Sequence, residues 1–320
     1  MKSVIQSILA IIILSACSAG LSLKNSSSLV QVNAPAGNFL GEGEENFYVF
    51  KGIPYAQPPV GDLRWKAPKN LSAKDEVIDA TKFKSECIQP GTEGLIPNRN
   101  VSVGSEDCLY LNIYIPKNQT DLDKNQFPVM FWIHGGSNIW GSGDFYDFSK
   151  LATTQQVIVV TINYRLGLFG WFSSEHLRNT ATGLDKSSNF GQLDLLKGLE
   201  WVQENISAFG GDQDNITIFG ESAGGHNVLT LLASPLSEGL FHKAISQSGY
   251  VSSYTQKFAE EESELSSKKI FAEETKFLVS DTEVADYLRS LSSEEVYQKY
   301  VAKAEAVSYT HLTLPTNHDV

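Results

Sequence analysis

The order of apolar and polar positions along the chain predicts strands that alternate with helices. Phe127–Ile133 and Val157–Asn163 are continuous apolar runs between polar residues, which is typical of strands buried on both faces of a sheet. Leu109–Ile115 alternates as a strand should. In Asn189–Phe209 the apolar residues recur with the period of a helix.

Shorter patterns complete this prediction. Further strands are expected at Asn46–Phe50, Ile216–Phe219 and Ala244–Gln247, and further helices at Phe145–Gln155, Phe258–Phe277 and Glu283–Leu291. This alternation favours an α/β fold in which a mostly parallel central sheet is flanked by helices.

A glycine-rich turn follows one of the predicted strands. Gly220-Glu221-Ser222-Ala223-Gly224-Gly225 comes directly after Ile216–Phe219 and before the helix-like Gly225–Ala233. A G-x-S-x-G pattern between a strand and a helix forms a sharp turn that exposes the serine hydroxyl as a nucleophile. The alternative is an ordinary loop with the same five residue types, but the flanking strand and helix favour Ser222 as a nucleophile.

Composition and charge narrow the class of protein. The chain has 320 residues, of which 42% are hydrophobic, so it can bury a large core as one large domain or two smaller ones. Its net charge is −12 and no basic stretch is present, which argues against nucleic-acid binding. No cluster with metal-ligand spacing and no phosphate-binding loop occurs, so we expect neither a metal nor a cofactor.

The N-terminus predicts export. Lys2 precedes the apolar run Ile8–Leu14, which is too short to span a bilayer. Leu14-Ser15-Ala16-Cys17 resembles the lipobox of bacterial lipoproteins, which implies a signal peptide over 1–17 and lipidation of Cys17. Residues 18–30 then form a flexible tether. We expect an exported protein held at the bacterial outer membrane or cell surface by its lipid alone; the alternative is a periplasmic or secreted protein with an ordinary signal.

Two cysteines remain after the predicted signal peptide. An exported chain favours a disulfide between Cys87 and Cys108. The alternative is a pair of free, buried thiols.

Six segments together carry a family resemblance. They are, in chain order, Gly52–Trp65, Glu106–Asn112, His134-Gly135-Gly136, Asn163-Tyr164-Arg165, Asn189–Phe209 and Gly220–Gly225. In order and spacing the chain resembles the type-B carboxylesterase/lipase family of cholinesterase-like α/β-hydrolases. The resemblance implies an α/β-hydrolase fold that is incomplete at its C-terminal end, with a partial domain over residues 31–306.

The resemblance also implies a chemistry. The family uses a Ser-Glu-His triad, so Ser222 would attack a small-molecule carboxylic ester and form an acyl-enzyme without a cofactor. The backbone N–H of Ala223 would stabilise the oxyanion, together with those of Gly136 and Ser137. Ser137 stands where the family commonly has glycine, which puts the loop conformation and the room for the acyl group in question. The alternative for His134-Gly135-Gly136 is a plain glycine turn.

Other polar residues are expected to lack a catalytic role. Glu221 is too close to Ser222 in the tight turn to act as the triad acid, and His226, on the next helix, is expected to pack or to contact solvent. Two buried ion pairs that resemble those of the family are expected to be structural: Arg64 with Glu106, and Arg165 with Asp194.

The C-terminal region departs from the family's pattern. The resemblance implies that the triad glutamate and histidine follow later than Val320, so the 320-residue chain is expected to be a poor catalyst from a longer serine carboxylesterase. Val307–Val320 is expected to be a non-native tail, the alternative being a divergent native terminus. An open strand edge is also expected.

The competing hypothesis is a non-catalytic, cholinesterase-like binding protein, against which the intact Ser222 counts.

Overall fold

A computed structural model describes residues 28–71, 76–93, 96–117 and 126–306. The predicted signal peptide with its lipidated Cys17, the first ten residues of the tether and the tail over 307–320 lie outside the described residues. Residues 28–30, which were assigned to the tether, lie in the first strand, since their backbone pairs with the strand that follows.

Eleven strands are present in the described residues. They are β1 (Ser28–Ala34), β2 (Gly37–Gly43), β3 (Phe47–Pro54), β4 (Val77–Asp79), β5 (Gln89–Glu93), β6 (Ile96–Val103), β7 (Tyr110–Pro116), β8 (Phe127–Ile133), β9 (Ile158–Ile162), β10 (Gly211–Glu221) and β11 (Lys243–Gln247).

Nine α-helices accompany them in the described residues. They are α1 (Ser149–Gln155), α2 (Gly167–Gly170), α3 (Glu175–Asn179), α4 (Phe190–Asn205), α5 (Ala223–Ala233), α6 (Ser267–Ile270), α7 (Ala272–Thr275), α8 (Asp281–Ser290) and α9 (Ser293–Ala306).

One large sheet organises the molecule. Its strands lie in the order β1-β2-β3-β7-β9-β8-β10-β11, with β4 paired beside β2, while β5 and β6 form a separate hairpin. The strands β9, β8, β10 and β11 are all parallel to one another, as predicted, whereas β1, β2, β3, β7 and β9 pair antiparallel. The parallel half carries the candidate site, because the carboxyl ends of β8 and β10 meet at one edge.

Each face of the sheet packs against its own core. Phe131 and Ile218 point into the larger core, which α4 and α5 cover. Their chain neighbours Trp132 and Phe219 point to the opposite face, where Ala152 of α1 covers them. This alternation is the period-two pattern of strands, so helices protect both faces, as predicted.

The last strand of the sheet, β11, is exposed in the described structure. Four of its five residues are exposed, Ile245 among them at 44%. This agrees with the expected open strand edge.

Two helix predictions need correction. The helix predicted over Phe145–Gln155 begins only at Ser149, because the Asp147 carboxylate accepts the Ser149 N–H (2.9 Å) and forms a turn there. The single helix predicted over Phe258–Phe277 is wrong. Serine hydroxyls interrupt it: the Ser263 Oγ accepts the Leu265 N–H (3.1 Å), and such local bonds compete with the helical pattern.

Both predicted ion pairs are confirmed. Arg165 binds Asp194 with two guanidinium nitrogens at 2.7 and 2.8 Å, and Asp194 is fully buried. Arg64 binds both oxygens of Glu106 at 2.6 Å, and its remaining nitrogen donates to the carbonyl of Leu291 at 2.6 Å. The second pair thus ties the end of α8 to the N-terminal half of the chain.

Candidate active site

Ser222 occupies the sharp turn between β10 and α5. Its backbone has φ 54° and ψ −120°, a combination that residues with a side chain rarely adopt and that costs on the order of 1–3 kcal/mol. The Ser222 N–H donates to the Gln247 carbonyl on β11 (2.8 Å), and the His226 N–H donates to the Ser222 carbonyl (2.9 Å). The half-buried serine is therefore held at the carboxyl edge of the parallel strands.

The glycines around Ser222 are required by close backbone packing. A Cβ on Gly224 would lie 2.0 Å from the carbonyl oxygen of Ile133, and one on Gly220 would lie 2.5 Å from the backbone of Gly224. A Cβ on Gly225 would lie 2.7 Å from the Gln247 oxygen. Real Cβ atoms do not approach so closely, so the turn excludes other residues at these positions, as the sequence predicted for Gly220 and Gly224.

The loop after β8 lies against the serine. A Cβ on Gly135 would be 3.3 Å from the Cβ of Ser222. Gly136 has φ 97°, and a Cβ there would be 1.9 Å from the Trp140 oxygen. Ser137 follows with φ 57°, in the left-handed region, and its side chain is exposed. The loop thus adopts this turn with serine in place of the family's usual glycine.

Three backbone N–H groups from these two elements have no protein acceptor. Within the described residues, the N–H groups of Gly136 and Ser137 donate to no protein oxygen. Ala223 is the first residue of α5, where an N–H has no partner within the helix and the helix dipole favours negative charge. These groups are available to bind an anion.

His134 is a neutral, structural part of the same loop. Its Nδ1 lies 2.8 Å from the Gly135 oxygen and must carry the proton, since a carbonyl only accepts. Its ring stacks on Tyr164 (4.3 Å), whose hydroxyl donates to the His134 carbonyl at 2.6 Å. Burial lowers the pKa of His134 to about 4, so the ring is uncharged at neutral pH.

The other histidines of the described residues take part in local contacts. His176 is partly exposed, and its Nδ1 lies 2.6 Å from the Asp281 Oδ1. His226 stacks on Tyr250 (4.4 Å), and its Nδ1 lies 2.5 Å from the Tyr250 oxygen, in agreement with a packing role. His242 Nδ1 accepts the Ile216 N–H (3.1 Å), six residues before Ser222 along the strand. Glu221 is exposed.

Three further observations concern the surroundings. Cys87 and Cys108 form a disulfide. Within the described ranges, no group of three or more His, Cys, Asp or Glu residues could hold a metal ion. No helix within those ranges has the length and apolar character needed to cross a membrane.

Asn138 and Asn227 at this site were not predicted from the sequence. Asn138 directly follows Ser137, and Asn227 lies on the helix after the turn; both are almost fully buried. The available signal was an amide within an otherwise apolar stretch, Asn227-Val228-Leu229, because buried polar groups require partners.

Curated proteins with sequences similar to this chain include esterases. The chain is 47% identical over 220 residues to the para-nitrobenzyl esterase of Bacillus subtilis, covering 68% of this chain and 43% of that protein. It is 44% identical over 239 residues to carboxylesterase 1E of Rattus norvegicus, covering 70% of this chain and 41% of that protein. The chain thus spans less than half the length of these relatives.

Solved structures share the fold. A thermophilic pNB esterase matches with a TM-score of 0.76 and 37% identity over 90% of this chain and 57% of its own. A carboxylesterase of Geobacillus stearothermophilus matches with a TM-score of 0.72 and 38% identity, over 87% of this chain and 54% of its own. These matches confirm the α/β-hydrolase fold. The family model described as "Carboxylesterase family" matches residues 28–319, and the chain therefore belongs to the carboxylesterase family.

Proposed function

We propose that the protein is a serine carboxylesterase that hydrolyses small-molecule carboxylic esters through an acyl-enzyme. The observation that carries the proposal is Ser222, held at positive φ between β10 and α5 with its side chain beside Gly135. The proposal is supported by 47% identity to a bacterial esterase.

In the proposed reaction, the Ser222 oxygen attacks the ester carbonyl carbon while a base removes the hydroxyl proton. The carbonyl oxygen becomes an anion, which accepts hydrogen bonds from the N–H groups of Gly136, Ser137 and Ala223. Collapse of this intermediate breaks the bond to the alcohol, which leaves with the proton. Water then attacks the acyl-enzyme in the same way and releases the acid.

The base is proposed to be a histidine oriented by a glutamate, as in the family's triad. We do not assign it to His134, because its Nδ1 proton is bound to the Gly135 oxygen and its pKa is lowered to about 4. Nor do we assign it to His242, whose Nδ1 accepts the N–H of Ile216 on β10, the strand that leads to Ser222. From there Ser222 is six residues away, or roughly 20 Å.

A fluorophosphonate probe tests the proposal, because it reacts covalently only with an activated serine. We expect the native gene product to gain one phosphonyl group on the peptide that contains Ser222. An absence of labelling in a folded protein would favour the alternative of a non-catalytic binding protein.

We also propose that the protein is exported and anchored through a lipid on Cys17. The support is the sequence Leu14-Ser15-Ala16-Cys17 after the apolar run. Expression in a bacterial host with a palmitate analogue tests this: label on the mature protein that disappears in Cys17→Ser is expected, whereas an unlabelled soluble product indicates a secreted or periplasmic protein.

A further inference from the structure

Two buried amide side chains join the loop after β8 to helix α5. The Asn227 Nδ2 donates to the Asn138 Oδ1 at 2.9 Å, and the Asn138 Nδ2 donates in return to the Asn227 Oδ1 at 3.4 Å. Asn138 is 1% exposed and Asn227 is fully buried. Each residue is thus donor and acceptor to the other, away from solvent.

Further hydrogen bonds hold this pair in place. The Tyr164 hydroxyl lies 3.3 Å from the Asn138 Oδ1 as well as 2.6 Å from the His134 oxygen, and burial raises the pKa of Tyr164, which keeps it a donor. The Gly167 N–H donates to the Asn138 carbonyl at 2.8 Å. The Gln192 Nε2 lies 3.5 Å from the Asn227 carbonyl. The amides are therefore anchored to surrounding elements on both sides.

The positions of the two residues in the chain connect them to the proposed oxyanion site. Asn138 directly follows Ser137 and itself has φ 56°, a left-handed conformation that asparagine tolerates better than most residues. Asn227 lies on α5, whose first residue is Ala223. One amide is thus on the loop that supplies two N–H donors, and the other is on the helix that supplies the third.

We propose that the Asn138–Asn227 pair is a positioning device that sets the distance between these donors; the inference rests on the proposed function. Neither residue touches substrate. The pair fixes the loop relative to the helix, because a buried amide that loses its partner is strongly disfavoured. Preorganised donors at the correct spacing stabilise the oxyanion without rearrangement during the reaction.

The pair can be tested with Asn138→Leu, Asn227→Leu and the double variant in the native gene product. Leucine resembles asparagine in shape but neither donates nor accepts. Because Asn138 has φ 56°, Asn138→Gly, which adopts this φ without strain, separates loss of the amide from backbone strain. For p-nitrophenyl acetate, we expect each single variant to lower kcat about 30-fold, less than the roughly 100- to 1000-fold loss on removing an oxyanion donor outright, and to leave KM within about twofold. Because the amides act as one unit, the double variant should lose no more than either single variant.

Asn205→Leu is the matched control. Asn205 is also 1% exposed and also makes two amide hydrogen bonds, to the Trp201 carbonyl and from the Ala36 N–H, both at 2.8 Å, but it lies at the end of α4. It should lose stability as the other variants do and keep its kcat. Equal losses of kcat in Asn205→Leu, unchanged kcat in the site variants, or additive effects in the double variant would overturn the proposal.

Hydrogen exchange separates this proposal from the proposed function. Asn138→Leu and Asn227→Leu should speed exchange at the backbone amides of the loop and of the first turn of α5, and Asn205→Leu should not. This readout needs no catalysis. If the native protein is inactive but the two variants still exchange faster at these amides, the result contradicts the proposed esterase function and not the positioning role of the pair. Unchanged exchange in both segments contradicts the device. If the leucine variants do not fold, Asn138→Ser and Asn227→Ser, which shorten the side chain, take their place in both measurements.

Discussion

The α-carbon of Gly224 faces the carbonyl oxygen of Ile133 so closely that a Cβ on Gly224 would lie 2.0 Å from it. The contact joins α5 to the end of β8 and brings the Ser222 turn beside the loop that carries Gly136. The Ile133 oxygen belongs to the backbone, and a Cβ on residue 224 would be bonded directly to the backbone. Neither atom could therefore move aside as the end of a flexible side chain would.

Gly224→Ala should therefore disrupt the turn. We expect the free energy of unfolding to fall by about 3 kcal/mol or more, the upper range for overpacking, and any esterase activity to be lost. Urea unfolding followed by circular dichroism measures the first effect. Gly239→Ala is the control: it has φ 78° with no atom near its Cβ, so it should cost about 1 kcal/mol through backbone strain and leave activity intact. Equal effects of the two substitutions would contradict this explanation.

Stability should depend on pH through His134. Burial lowers its pKa to about 4 in the folded protein, against an ordinary value of 6.5, so the unfolded chain binds the proton more tightly. Stability is therefore lost as the pH falls from 6.5 to 4, by roughly 3 kcal/mol over that window.

A comparison of unfolding free energies at pH 7 and pH 4.5 in wild type and His134→Phe measures this contribution. The wild type should lose more stability between the two pH values than the variant, although carboxylates contribute to both. Val159→Ala, which shortens a fully buried side chain that carries no titratable group, is the control and should retain the wild-type dependence. An identical pH dependence of wild type and His134→Phe would contradict the neutral, buried state of His134.

How much of this arrangement the sequence predicted depended on the range of the interactions involved. The buried strands β8 and β9 and the helix α4 were correctly placed, because continuous apolar runs and a helical period are local signals. The failed helix over Phe258–Phe277 shows the limit: Ser263 hydroxyl bonding overrides an amphipathic pattern. The Asn138–Asn227 pair was missed because 89 residues separate its members, and only the folded chain brings them together.

The buried ion pair of Arg64 and Glu106 should contribute to stability mainly through the cost of breaking it. Arg64→Met leaves the Glu106 carboxylate, 11% exposed at its side chain, without its partner, and frees the Leu291 carbonyl. We expect a loss of about 3–5 kcal/mol in the free energy of unfolding.

The double variant Arg64→Met/Glu106→Gln should recover part of that loss, since no charge remains unpaired. Lys276→Met, which breaks the exposed pair with Glu273, should change stability by less than about 1 kcal/mol. The same urea titration serves for all three. A single Arg64→Met variant as stable as Lys276→Met would show that the pair is not buried as described.

The disulfide closes a segment with a sequence separation of 21 residues. Its removal in Cys87→Ala/Cys108→Ala should lower the free energy of unfolding by about 3 kcal/mol, as the loss of loop-closure entropy gives for a loop of this size. Reductant should lower the melting temperature of the wild type and leave that of the variant unchanged. A melting temperature insensitive to reductant in both proteins would be evidence for free thiols.

The most direct test of the account is the mass of the native gene product after reaction with a fluorophosphonate, compared with Ser222→Ala. We expect a single phosphonyl adduct on the peptide containing Ser222, with loss of p-nitrophenyl acetate hydrolysis, and neither adduct nor hydrolysis in Ser222→Ala. An adduct on another residue, or hydrolysis that persists in a folded Ser222→Ala variant, would contradict it.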